Sequence, residues 1–290
     1  MSFVEAYKRN YLNELSKIHS FKNSWNVWGP LIQKELISPT GTNIYDLGDK
    51  LSSIFSSNVV GRSQSTQSGG GAAWECLVVW YLNLVFWETS TIILKTNKKY
   101  VPECIKDLLT VTIANNPTNT ESDVVLFNVP DSTKLNNKDV TNKILNGHIS
   151  SKLNKTTLVN LQLKTNWNDN SQIPMLWDMI YNSQTKLSHV SVGINGVSPN
   201  SLNNFAYAFA TVPTNGVSKY KVNSVAVLRV KNLTGGNFWG HPSKTGIASS
   251  IKELPTRNFS NEFSGGVTSH IQNQIINNNQ YINDFLTLSW

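Results

Sequence analysis

From Ala72 to Trp87 the chain is apolar on nearly every side, interrupted only by Glu75 and Asn83. The run is shorter than the ~20 residues that span a bilayer, and it carries a carboxylate, so it reads as a helix buried in a protein core rather than in a membrane. A helix that is hydrophobic all round must be covered on every side, so the rest of the chain has to supply several layers around it. Glu75 sharpens the demand. An unpaired carboxylate there would cost several kcal/mol or take up a proton, and so it needs a partner: a metal, or a salt bridge to Arg62 or a lysine.

The chain of 290 residues has the material for such a core: 39% of its residues are hydrophobic and nine are Trp. Residues 2 to 36 read as two helices broken at Trp28-Gly29-Pro30, with Val4, Tyr7, Tyr11, Leu12, Leu15 and Ile18 near helical spacing. Pro39, Gly41 and Asn43 predict a loop over 37 to 47, and Leu51 to Val60 returns to an amphipathic pattern. A polar, glycine-rich stretch from Gly61 to Gly71 then feeds the apolar helix. It lacks the Gly-Lys-Ser/Thr ending of a nucleotide-binding loop, although free N–H groups at a helix start suit a DNA phosphate. Strands are expected at Thr91 to Leu94, Thr110 to Ala114, Asp123 to Val129, Leu158 to Lys164, Ala206 to Val212 and Ser224 to Val230. Helices are expected at Ser171 to Asn182 and Val267 to Leu286, with 131 to 157 an excursion without period. This alternation predicts an α/β fold with a mixed central sheet flanked by helices. It is read as one domain over 1–290, with an N-terminal helical part (about 1–60) and a loop-rich C-terminal part (about 231–290).

Charge narrows the partners. The formal net charge is +7, with charged residues only 15% of the chain, so the surface field attracts anions, nucleic acid among them. Cys76 and Cys104 form no CxxC pair and have no His cluster beside them, which argues against structural zinc and for two reduced thiols. The N-terminus has no apolar segment of signal-peptide type. A cytoplasmic protein without a membrane partner is expected.

Two strand ends carry chemistry. Leu158 to Lys164 is an alternating apolar segment ending in Gln162-Leu163-Lys164, and a lysine held against a low-dielectric interior asks for anionic company. Asp123 opens a second strand. Phosphodiester hydrolysis needs an activated water and charge neutralisation at phosphorus; Mg²⁺ on one or two carboxylates supplies the electrophile, and an ammonium beside the water lowers its pKa. Asp123, Glu75 and Lys164 could form such a site. Asp123 as an ordinary strand-edge acid is the simpler alternative.

Ser122-Asp123, then Gln162-Leu163-Lys164, then a helix with an acid on its inner face resembles the PD-(D/E)XK nuclease core, and especially type II restriction endonucleases, over about residues 70 to 182. The resemblance implies a Mg²⁺-dependent, sequence-specific endonuclease that cuts double-stranded DNA to 5′-phosphate and 3′-hydroxyl ends. It also implies a homodimer on a palindromic site and a cognate DNA methyltransferase as functional partner. Asp123 would be the shared metal ligand and Lys164 the catalytic lysine. Gln162 stands where the family usually has an acid, which leaves the second metal ligand open. Asp178, 14 residues beyond Lys164, matches the place of a migrated acid in some members, whereas Asp169 reads as a helix N-cap. Glu75 is the other candidate.

Base reading needs donors that reach base edges, with Arg to guanine and Asn or Gln to adenine the commonest pairings. There are only four arginines. The candidates are Arg62, Gln64 and Gln67 in the glycine-rich stretch, and Asn237, His241, Lys244 and Arg257 toward the C-terminus. Three rival readings stand beside this one: a structure-selective or repair nuclease on the same fold, a DNA-binding module that no longer cuts (which Gln162 favours), and a carbohydrate-binding protein, which leaves Glu75 and Lys164 unexplained.

Overall fold

The computed structural model describes residues 1–57, 67–96, 99–119, 122–165, 189–212, 221–240, 247–278 and 280–290. The chain opens with α1 (Phe3–Ser16), whose first turn is capped by the Ser2 hydroxyl accepting from Glu5 N at 3.2 Å. It buries Phe3, Val4, Tyr7, Tyr11, Leu12 and Leu15. α2 (His19–Glu35) runs straight through Trp28-Gly29-Pro30, where sequence predicts a break. Pro30 lies on the exposed face, where the carbonyl it leaves unpaired can turn to water, while Trp28 is fully buried. The chain breaks instead at Lys17-Ile18.

α3 (Gly41–Ser57) occupies the stretch expected to be a loop. Thr40 caps it, its hydroxyl accepting from Asn43 N at 3.1 Å. Gly41 is required by close packing on a later helix, since a Cβ there would sit 2.0 Å from the Thr268 carbonyl oxygen. The apolar run forms α4 (Gln67–Val85), and between Trp74 and Trp87 only Glu75 is more than marginally exposed. Its C-terminal end is held by Lys8, a fully buried lysine whose Nζ donates to the Phe86 and Thr89 carbonyls at 2.7 and 3.1 Å and to Glu5 Oε1 at 2.8 Å. A cation at that pole also meets the negative end of the helix dipole.

The central sheet contains β1 (Thr91–Lys95), β4 (Val124–Asn128), β5 (Thr157–Lys164), β7 (Asn204–Thr211) and β8 (Phe238–Gly240), in the order β1-β4-β5-β7-β8. The first three are antiparallel neighbours, and β5, β7 and β8 run parallel. Helices flank the sheet: α4 packs on β1 and β5, and α1 packs on β1. The strands are accordingly buried along nearly their whole length. α5 (Glu103–Leu109) leads into a separate antiparallel sheet of β2 (Thr110–Ile113), β3 (Asn116–Asn119) and β6 (Val190–Val192). The excursion over 131 to 157 contains α6 (Asn142–Ser150), capped by the Thr141 hydroxyl and anchored by Leu145 and Ile149.

Ser224 to Val230, expected as a strand, lies in α7 (Val225–Leu233). Its valines suggest a strand, but parallel β7 and β8 need a crossover between them, and Val227 and Val230 turn inward at helical spacing. The single helix expected over 267 to 286 is two, α9 (Val267–Asn277) and α10 (Gln280–Thr287), parted at Asn278, whose backbone leaves the helical region with φ −153° and ψ 77°. Between β8 and α9 lies the short α8 (Leu254–Phe259), packed against β5. Among the described residues, no helix is long and apolar enough to cross a membrane.

Candidate active site

The antiparallel pairing of β4 with β5 sets Val124 opposite Leu161. Asp123, one residue before β4, therefore falls opposite Gln162, and Gln162 and Lys164 share a face of β5 through the period of two. Asp123 Oδ2 accepts from Gln162 Nε2 and from Leu163 N, both at 2.7 Å. These bonds pin the carboxylate to the end of the strand that carries Lys164. Asp123 and Lys164 are both half-buried, so each is shielded yet open to a substrate.

Gln162 is fully buried and its Oε1 has no hydrogen-bond partner. Two residues back, Asn160 is fully buried too, its Oδ1 accepting from the Ser122 hydroxyl and its Nδ2 without a partner. Buried polar atoms are nearly always satisfied. Asn160 Nδ2 and Gln162 Oε1 thus stand without a protein partner at alternate positions of β5, beside the Asp123 carboxylate. The parallel partner β7 abuts the same end, with Lys164 opposite Thr211, and Gly240 of β8 keeps a φ of +132° where a Cβ would strike the Thr211 carbonyl oxygen at 1.9 Å.

The third strand brings a residue that the sequence reading passed over. Lys95 ends β1 opposite Val124 and is 5% exposed. Its Nζ lies 2.6 Å from Glu75 Oε2 and 3.9 Å from the Cys76 sulfur, and its backbone N donates to the Tyr11 hydroxyl at 2.8 Å. Burial opposes the charge on Lys95, but Cys76, Glu75 and Asp123 outweigh it and hold the ammonium above its ordinary pKa. Asp123 contributes the smallest of these attractions. Thr96 ties the ends of β1 and β4, its N donating to the Asp123 carbonyl at 3.1 Å and its hydroxyl to the Ser122 carbonyl.

The partner required by Glu75 is thus a lysine. One carboxylate oxygen of Glu75 lies on the Lys95 ammonium. Among the described residues no three His, Cys, Asp or Glu side chains group as a metal site, and Asp178 and Asp169 lie outside the described residues. The described residues place one carboxylate here, Asp123, with Gln162 Nε2 turned toward it. A carboxylate is a hard oxygen donor of the kind that holds Mg²⁺ with water filling the rest of its shell, so Asp123 suits the ion as one ligand.

Of the expected base readers, the structure describes Gln67, Asn237 and Arg257. Arg62, Gln64, His241 and Lys244 lie outside the described residues, and Gln67 is the first residue of α4. Asn237 is 7% exposed and its amide is engaged in the fold, donating to the Thr234 carbonyl at 3.2 Å and accepting from Asn258 Nδ2 at 3.0 Å. Arg257 is exposed, with one guanidinium nitrogen on the Gly235 carbonyl. The chain matches no protein-family model, no curated protein and no solved structure.

Proposed function

We propose that this chain is a Mg²⁺-dependent DNA endonuclease of the type II restriction class, built on a PD-(D/E)XK core and acting as a homodimer on a palindromic site. The observation that carries the reading is the juxtaposition of Asp123 and Lys164 at the ends of adjacent strands, with Asp123 locked to β5 by Gln162 and Leu163. A mixed sheet flanked by helices is the frame such a core requires, and the net charge of +7 suits a polyanionic substrate.

Asp123 would hold Mg²⁺, which would supply charge neutralisation at the phosphorus. Lys164 places an ammonium on the same face, where it stabilises the hydroxide forming from the attacking water and pairs with the phosphate. The water's proton passes to solvent, the new P–O bond forms, and the P–O3′ bond breaks to leave a 5′-phosphate and a 3′-hydroxyl. The Lys95 ammonium, paired with Glu75, adds a cation that attracts Asp123.

Asp123→Asn tests the reading. It should abolish Mg²⁺-dependent cleavage while DNA binding in Ca²⁺ persists, and a variant that cuts at near the wild-type rate would refute the assignment. A second reading, a DNA-binding module that does not cut, is favoured by Gln162 standing where a second carboxylate would strengthen metal binding. Tight binding with no cleavage by the unsubstituted chain would select it.

A further inference from the structure

Beside the strand ends lies a cavity of about 420 Å³, whose wall includes Tyr11, Leu15, Ile18 and Tyr100 and whose charged groups are Glu14, Lys17, Lys95 and Lys99. Its size is in the range that small-molecule sites occupy. One side is apolar and aromatic. Tyr100 is half-buried and braced edge-on by Tyr7 and Tyr11, with ring centroids 5.8 and 5.6 Å away. Lys99 Nζ stands 5.3 Å from the Tyr100 ring centroid, so cation and ring are presented together. Lys17 is exposed and pairs with Glu14 at 2.8 Å, and Lys95 pairs with Glu75, which leaves Lys99 as the excess positive charge of the wall. Lys95 belongs to both places, since the ammonium that borders this cavity is also the partner of Glu75 and feels Asp123.

We propose that this cavity binds a nucleoside 5′-monophosphate unit, its base against Tyr100 and its phosphate on Lys99, and that the unit is supplied by the DNA strand adjoining the scissile phosphate. The inference rests on the nuclease reading for its source, whereas the ligand chemistry stands on the cavity alone. A flat, apolar ring joined to an anion fits a wall of that composition, and base–aromatic stacking is tolerant of base identity.

The test is titration of the full chain, in EDTA, with deoxyadenosine 5′-monophosphate, deoxyadenosine, inorganic phosphate and a tetradeoxynucleotide, read by calorimetry. The nucleotide should saturate and bind at least about tenfold more tightly than nucleoside or phosphate alone, and Tyr100→Ala should weaken it roughly tenfold. Because Tyr100 is also packed, Lys99→Glu provides a variant on an exposed side chain, and it should weaken nucleotide but not nucleoside. Asp123→Asn should leave nucleotide binding unchanged. Absence of saturable binding, or equal binding by Lys99→Glu, overturns the proposal. A tetranucleotide that binds more tightly than the mononucleotide supports a strand as the source, and the reverse order overturns that source in favour of a free nucleotide. Nucleotide binding in a chain that cuts no DNA would sink the nuclease reading and keep the cavity; cutting without nucleotide binding would do the opposite.

Discussion

Glu75→Gln should cost stability before it costs chemistry. Lys95 Nζ lies 2.6 Å from Glu75 Oε2, with the two side chains 7% and 22% exposed. The substitution keeps the shape and an acceptor but strips a nearly buried ammonium of its closest counter-charge, leaving the Cys76 sulfur at 3.9 Å and the more general pull of Asp123. Removing one partner of a buried pair costs about 3–5 kcal/mol. Water reaches the Glu75 side, which places the effect at the lower end, about 3 kcal/mol. Urea unfolding followed by tryptophan fluorescence reads it: with a slope of about 3 kcal/mol per molar, the midpoint should fall by about 1 M. Adding Lys95→Met to Glu75→Gln should recover much of the loss, because the uncompensated charge is gone. An unchanged midpoint combined with abolished cleavage would refute the reasoning, since it would make Glu75 a metal ligand rather than the counter-ion of Lys95.

Lys164→Ala should lower the cleavage rate by about 10²–10⁴-fold while DNA binding and the unfolding midpoint hold, as measured by single-turnover digestion. Gln162→Glu sets a second carboxylate against Asp123, so it should tighten Mg²⁺ binding in calorimetric titration and destabilise the metal-free chain; unchanged Mg²⁺ affinity would remove position 162 from the site. Alkaline unfolding has a defined sign. Lys95 is held above the ordinary lysine value, and burial pushes the hydroxyls of Tyr7, Tyr11, Tyr81 and Tyr281 upward. The unfolded chain therefore loses these protons first, and stability, complete below about pH 10, should fall as pH rises beyond it. A midpoint in urea that is flat from pH 9 to 11 would contradict this.

The apolar run at 72 to 87 and the strand ending in Lys164 were legible because each carries a pattern that only one environment satisfies. Asp123 and Lys164 fall at one end of the sheet because β4 and β5 are neighbours in it and the sequence distance between them is filled by an excursion that leaves the pairing intact. Lys95 was passed over although Thr91 to Lys95 has the same signature as Leu158 to Lys164, a lysine closing an apolar strand. Its importance lies in what it touches, and Glu75 and Tyr11 come to it from helices distant in sequence. The errors in the fold share a cause. Trp28-Gly29-Pro30, the 37 to 47 segment and Ser224 to Val230 have local preferences that tertiary context overrides: a proline turned to solvent, a glycine pressed against α9, and a valine-rich segment enlisted as the crossover between parallel strands.

Plasmid digestion tests whether Asp123, Gln162 and Lys164 form a site that cuts DNA at defined sequences. The purified chain incubated with plasmids of known sequence, with Mg²⁺ or with EDTA, should give a reproducible set of discrete fragments in Mg²⁺ alone, their 5′ ends ligatable without kinase treatment. Intact plasmid under every divalent-metal condition would contradict the claim, and a continuous smear would contradict its sequence specificity.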